Sequence, residues 1–111
     1  MQRDEALKLL KENVKSENLI NHCLGVEAIM RGLAEHLHED VEKFGLAGLL
    51  HDIDWDMTCE DFNNHSLVAA KMLEERGLPE DIIYAVKVHN EIHGLERKTM
   101  LDKTLFAADP V

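Results

Sequence analysis

Hydrophobic residues along this chain return every three or four positions, and no segment alternates as a half-buried strand would. The pattern therefore predicts helices and no sheet. Residues 2 to 13 form a first helix, with Ala6, Leu7, Leu10 and Val14 on one side. Ser16 can cap a second helix running to about His38, whose apolar positions are Ile20, Cys23, Leu24, Ala28, Leu33, Ala34 and Leu37. Asp40 can cap a third, from Val41 to about His51, with Phe44, Ala47 and Leu50 inward. A loop through Asp54 to Phe62 leads to a fourth helix, which starts near Asn64 and ends at Gly77, a natural residue just past a helix end. Pro79 opens a fifth with Ile82, Ile83, Val86 and His89. Thr99 and Asp102 make a T-x-x-D capping box for a last helix, 100 to about 109.

Composition supports this reading. Apolar residues are 45% of the 111, aromatics only 5%, and Leu, Ala, Glu, Lys and Met are plentiful. These are helix formers. The length suits one hydrophobic core, so the expectation is an all-α, compact bundle of about six helices forming a single domain over 1–111. No repeat, linker or low-complexity tract interrupts it.

Charge narrows the partners. The net charge is −10, which repels nucleic acid and anionic membranes, and no basic patch carries interleaved aromatics. No run is long enough to span a membrane, and the N-terminus lacks a signal-peptide core. Cys23 and Cys59 form no CxxC or zinc-finger spacing and read as small core residues. A reduced, cytoplasmic protein is expected, with no nucleic-acid or membrane partner. Oligomeric state is not legible.

One stretch breaks the apolar pattern. In GLAGLLHDIDWD, residues 45 to 56, a core-like run ends in one imidazole and three carboxylates. Such groups are costly near an interior unless something pairs with them. Seven histidines occur in all. His22 lies near the start of the second helix, His51-Asp52 closes the third, and His65 opens the fourth. His89 lies late in the fifth, and Asp109 ends the sixth. Helix ends in a bundle can converge on one pocket, and imidazole with carboxylate suits divalent first-row metals.

Two rival motifs fail. Asp52, Asp54 and Asp56 imitate the start of a calcium loop, but Met57 and Asn63 stand where Gly and Glu are needed. HNEIH, His89 to His93, imitates a zincin helix, but Asn90 stands where Glu is needed. Asp54 and Asp56 are then loop carboxylates, either of which could stand behind a ligand or orient water. His93 is a loop residue. His36 and His38 close the second helix and receive no function.

The set formed by NHCLGVEAIM around His22, GLLHDID around His51-Asp52 and LFAADPV around Asp109 resembles the HD-domain superfamily of metal-dependent phosphohydrolases. The resemblance covers residues 18 to 111. It implies an HD-type helical fold with His22, His51, Asp52 and Asp109 as ligands of a divalent metal ion (Mn, Fe, Co, Ni, Mg or Zn). Some members add two histidines between the HD pair and the last aspartate and bind a second ion. His65 and His89 stand in that interval, and Asp52 would then be the bridge. In a one-metal site, His65 or His89 could instead be the general acid, which makes Asp52, His65 and His89 the catalytic candidates.

The activity implied is hydrolysis of a phosphate ester by metal-activated water. The substrate would be a small phosphorylated molecule, either a phosphomonoester or a nucleotide-like compound. Phosphodiester or cyclic-nucleotide cleavage is one alternative, and a silent regulatory or sensory module that keeps the fold is another. Lys87, Arg97, Lys98 and Lys103 are candidates for holding phosphate. The end at LFAADPV raises the expectation that a longer protein carries further C-terminal helices.

Overall fold

The computed structural model describes residues 1–109; Pro110 and Val111, the end of the LFAADPV motif, lie outside them. Seven α-helices follow one another: α1 Arg3–Asn13, α2 Glu17–Leu37, α3 Val41–Leu50, α4 Trp55–Thr58, α5 Leu67–Glu75, α6 Glu80–Val88 and α7 Met100–Ala108. Six have nine or more residues, and α4 is a single turn. A short 3-10 turn, Glu91–His93, joins α6 to the loop before α7. No strand occurs among the described residues. The all-α bundle of about six helices is therefore what forms.

Start signals act where the sequence placed them. Ser16 accepts from Leu19 N, Asp40 from Lys43 N, and Thr99 with Asp102 forms a reciprocal capping box. These bonds satisfy amides that have no partner inside their own helix. Gly77, at φ +74°, takes the left-handed turn after α5.

The third helix is the axis of the molecule. Every residue from Phe44 to Leu50 is buried, and α3 packs against α1, α2, α6 and α7. Its approach to α2 is close. A Cβ added at Gly48 would lie 3.0 Å from the Glu27 backbone. Leu10, Met30, Leu49, Leu50, Ile53, Leu73, Ile82 and Leu105 are fully buried around it. Each such side chain contributes roughly 1.5–3 kcal/mol of burial. That anchoring fixes where the end of α3 points.

Several details differ from the sequence expectation: Cys23 is in the core, but Cys59, read as a core residue, is exposed at the end of α4. On α2, Ala28 and Leu37 are exposed, whereas Val26 and Met30 are buried. Glu27, an acidic residue, also lies on the inward face. It is buried but receives Arg3 Nε and Nη2 at 2.7 and 2.9 Å and Arg31 Nε at 3.0 Å. The fourth long helix starts at Leu67, not near Asn64, because residues 64–66 form a turn with Ser66 at φ +74°. The 54–62 loop contains α4. The third helix ends at Leu50, with His51 still helical in its backbone angles as the cap.

Candidate metal centre

The buried end of α3 carries His51 and Asp52 into a space that four other segments reach. His22 comes from the first turns of α2 and Asp109 from just past α7. His51 Nε2 lies 3.1 Å from Asp52 Oδ2 and 2.8 Å from Asp109 Oδ1. His22 Nε2 lies 3.3 Å from His51 Nε2, 3.1 Å from Asp109 Oδ1 and 3.4 Å from Asp52 Oδ2. His51 and Asp52 are buried, while His22 and Asp109 are half-buried.

A second group shares Asp52. Its other oxygen, Oδ1, lies 3.1 Å from His65 Nε2 and 3.2 Å from His89 Nε2, and the two nitrogens are 3.2 Å apart. All three residues are buried. Asp52 therefore turns one oxygen to each group. The structure brings together every histidine and aspartate expected at the site.

The donor sets fit divalent cations. In each group two ring nitrogens face each other beside carboxylate oxygens, an arrangement that a shared positive charge satisfies. The rings are also oriented. His51 Nδ1 donates to Gly48 O at 2.7 Å, and His89 Nδ1 donates to Val86 O. A carbonyl only accepts, so the proton sits on Nδ1 and Nε2 is turned to the centre. His65 Nδ1 lies 2.7 Å from Asp54 Oδ1. Partners of this kind orient metal-binding imidazoles.

Without an ion, protons take over part of the neutralisation. Burial pushes the His51 imidazole down, but Asp52 and Asp109 outweigh it and raise it to about 10. Burial likewise lowers His65, and Asp52 with Asp54 raises it to about 9. The hydrogen bond to Asp52 is the largest influence on His22 and raises it too. Burial pushes Asp52 up, yet the charge of His51 and bonds from His22, His51 and His65 hold it far below the usual carboxylate range.

A pocket of about 390 Å³ opens beside the centre. Asp52, His65, His89 and Asp109 form its polar floor, and Trp55, Phe62 and Ile92 its apolar wall. No lysine or arginine lines it among the described residues. The phosphate-holding candidates lie elsewhere. Lys87 and Lys98 edge a separate hollow with Tyr84, Arg97 stacks on Phe106 at 3.5 Å, and Lys103 is exposed.

Asn90 and His93 escaped sequence reasoning as contributors, and Asp54 takes the supporting place behind a ligand that its sequence reading left open. Asp54 is fully buried behind His65 rather than lying free in a loop, whereas Asp56 is exposed and accepts from Lys15 N at 2.8 Å. Asn90 Nδ2 donates to His65 O at 3.2 Å, and His93 Nε2 donates to the same oxygen at 2.7 Å. The D-x-D spacing was the only signal for Asp54. Nothing in HNEIH announces that Asn90 and His93 hold the backbone of His65.

Helix ends that deliver histidine and aspartate to one shared carboxylate define a helical domain with two groups that could hold metal ions. Residues 19–111 match the family model of the HD domain, and the chain belongs to this family. It is 35% identical over 96 residues to ribonuclease Y of Nitratidesulfovibrio vulgaris, covering 86% of this chain and 18% of that protein. An uncharacterized protein of Methanocaldococcus jannaschii is 36% identical over 94 residues, covering 80% of this chain and 54% of that one. A crystal structure described as a predicted HD superfamily hydrolase, from an uncultured Thermotogales bacterium, has the same fold. Its TM-score is 0.76 at 22% identity, over 97% of this chain and 66% of that chain. The chain thus spans about a fifth of the ribonuclease Y relative. No described helix is long and apolar enough to cross a membrane.

Proposed function

We propose that this domain hydrolyses a phosphate ester of a small, nucleotide-like substrate at a two-ion centre. The observation that carries the reading is Asp52, whose two oxygens face two separate groups of histidine nitrogens. His22, His51, Asp109 and Asp52 Oδ2 would hold one divalent ion. His65, His89 and Asp52 Oδ1 would hold the other. Divalent ions so placed lower the pKa of water and draw charge from phosphoryl oxygens.

The protein's own part is positioning and charge. The carbonyls of Gly48 and Val86 keep the Nδ1 protons of His51 and His89 away from the centre. Asp52 supplies a negative charge common to both groups. Trp55 and Phe62 offer flat apolar surface beside it, suited to a base or aryl group, and Ile92 extends that wall. With no lysine or arginine in the pocket and a net charge of −10, a compact substrate of low charge is favoured over a long polyanion. If only one ion binds, His65 or His89 is free to protonate the leaving group.

The ribonuclease Y relatives supply the reason to keep phosphodiesters as a second reading. The test is bound-metal analysis of purified protein, followed by assays with Mn²⁺, Fe²⁺, Co²⁺, Ni²⁺, Mg²⁺ and Zn²⁺. Substrates are p-nitrophenyl phosphate, its diester, nucleoside monophosphates, cyclic nucleotides and an oligoribonucleotide. Turnover of monoesters with two bound ions is the expected result. Preference for the diester or the oligoribonucleotide selects the second reading. Bound metal with no turnover points to a regulatory module, and failure to bind any ion removes the reading altogether.

A further inference from the structure

The geometry points to Asp54 as the positioning residue that makes His65 a ligand, and hence completes the second ion's site. This rests on the two-ion reading above.

The three oriented histidines are held in different ways. His51 and His89 each stand at the end of a helix, and each donates Nδ1–H to the carbonyl three residues back. Their own helices hold those rings. His65 stands in the turn before α5, with no helix behind it. A carboxylate from another segment takes that place.

Asp54 is built for the task. It is fully buried, and both oxygens are engaged. Oδ1 faces His65 Nδ1 at 2.7 Å. Oδ2 accepts from the backbone amides of Ser66 at 2.8 Å and Ala69 at 3.0 Å. One carboxylate thus fixes both the ring and the turn that carries it. The turn needs fixing, because Ser66 is held at φ +74°, a conformation that non-glycine residues seldom adopt. From the other side, Asn90 and His93 donate to His65 O, and Ser66 Oγ donates to Lys87 O. An acceptor-only group at Oδ1 keeps the ring proton on Nδ1, so Nε2 presents its lone pair beside His89 and Asp52. Asp54 makes no contact with His22, His51 or Asp109 among its hydrogen bonds, so its influence is confined to one of the two groups.

The conservative variant D54N separates this role from simple packing. An amide has one accepting and one donating end, so it cannot accept from His65 Nδ1 and from both backbone amides together. If the donating end meets His65, the ring proton moves to Nε2 and the second site loses a donor. The experiment is calorimetric titration of metal-free protein with Mn²⁺ and with Zn²⁺, for the wild type, D54N and H65A, with circular dichroism as the check on folding. Two equivalents are expected for the wild type. D54N should keep the first at wild-type affinity and bind the second about 10- to 100-fold more weakly, the usual effect of losing such a partner. H65A should lack the second. Folded D54N that takes two equivalents at wild-type affinities overturns the proposal and leaves the two-ion reading intact. A wild type that takes one equivalent removes both.

A measurement on the wild type keeps the proposal falsifiable if D54N does not fold. In zinc-loaded protein labelled with ¹⁵N-histidine, His65 should show a protonated Nδ1 and a metal-bound Nε2. Metal on Nδ1, or a proton on Nε2, overturns the assignment.

Discussion

Raising the pH should strengthen ion binding, and the buried His51 sets the scale. In the metal-free protein its ring is held at about 10, burial pulling it down and Asp52 with Asp109 pulling it up by more. A raised imidazole stabilises the metal-free fold fully below its unfolded value of about 6.5, and that stabilisation is lost as pH rises through about 10. An ion that takes Nε2 must expel the proton held there. Well below pH 10, affinity therefore rises about tenfold per pH unit, or ~1.4 kcal/mol. From pH 6 to pH 8 the gain from His51 alone is about 2.7 kcal/mol. Unfolding entropy of about 2.1 cal/mol/K per residue gives ~0.23 kcal/mol/K for a chain of this size. At a fixed excess of Mn²⁺, the metal-induced rise in Tm should then be about 12 °C larger at pH 8 than at pH 6. His65, raised to about 9, acts in the same direction. The assay is thermal unfolding with and without Mn²⁺ in non-chelating buffers across that range. A metal-induced rise that is flat with pH, or that shrinks, would refute the reasoning.

Other outcomes follow from named contacts. Asp52→Ala should abolish binding of both ions, whereas His22→Ala or Asp109→Ala should remove one and leave the other, as read by bound-metal analysis. Gly48→Ala should lower stability by about 1–3 kcal/mol in urea unfolding, because the new methyl meets rigid Glu27 backbone at 3.0 Å. Phe62→Ala should raise KM for a nucleotide about tenfold by loss of stacking, and leave KM for inorganic-like monoesters without a ring nearly unchanged. Equal changes for both substrates would show that Phe62 does not face the substrate's ring.

The amino-acid order by itself determined the helices, their caps and the expected donors. These are local properties: apolar spacing, side chains that bond to nearby amides, and residue types that suit a cation. His22, His51, Asp52, His65, His89 and Asp109 were candidates because imidazole and carboxylate suit a cation, and the resemblance to the HD-domain superfamily singled them out as ligands. What only the tertiary structure decided was relation. That the two oxygens of Asp52 divide between two groups depends on where α3 ends inside the bundle. The burial of Glu27 depends on Arg3, 24 positions away in the chain, and without that partner an acidic residue reads as exposed. Asp54, read as a loop carboxylate that could stand behind a ligand, became the partner of His65 because the chain turns back at Ser66 and closes an eleven-residue separation to 2.7 Å. The four basic candidates, plausible by charge, lie away from the pocket because side-chain charge carries no information on direction. Spacing along a helix reports a face; only packing reports what that face meets.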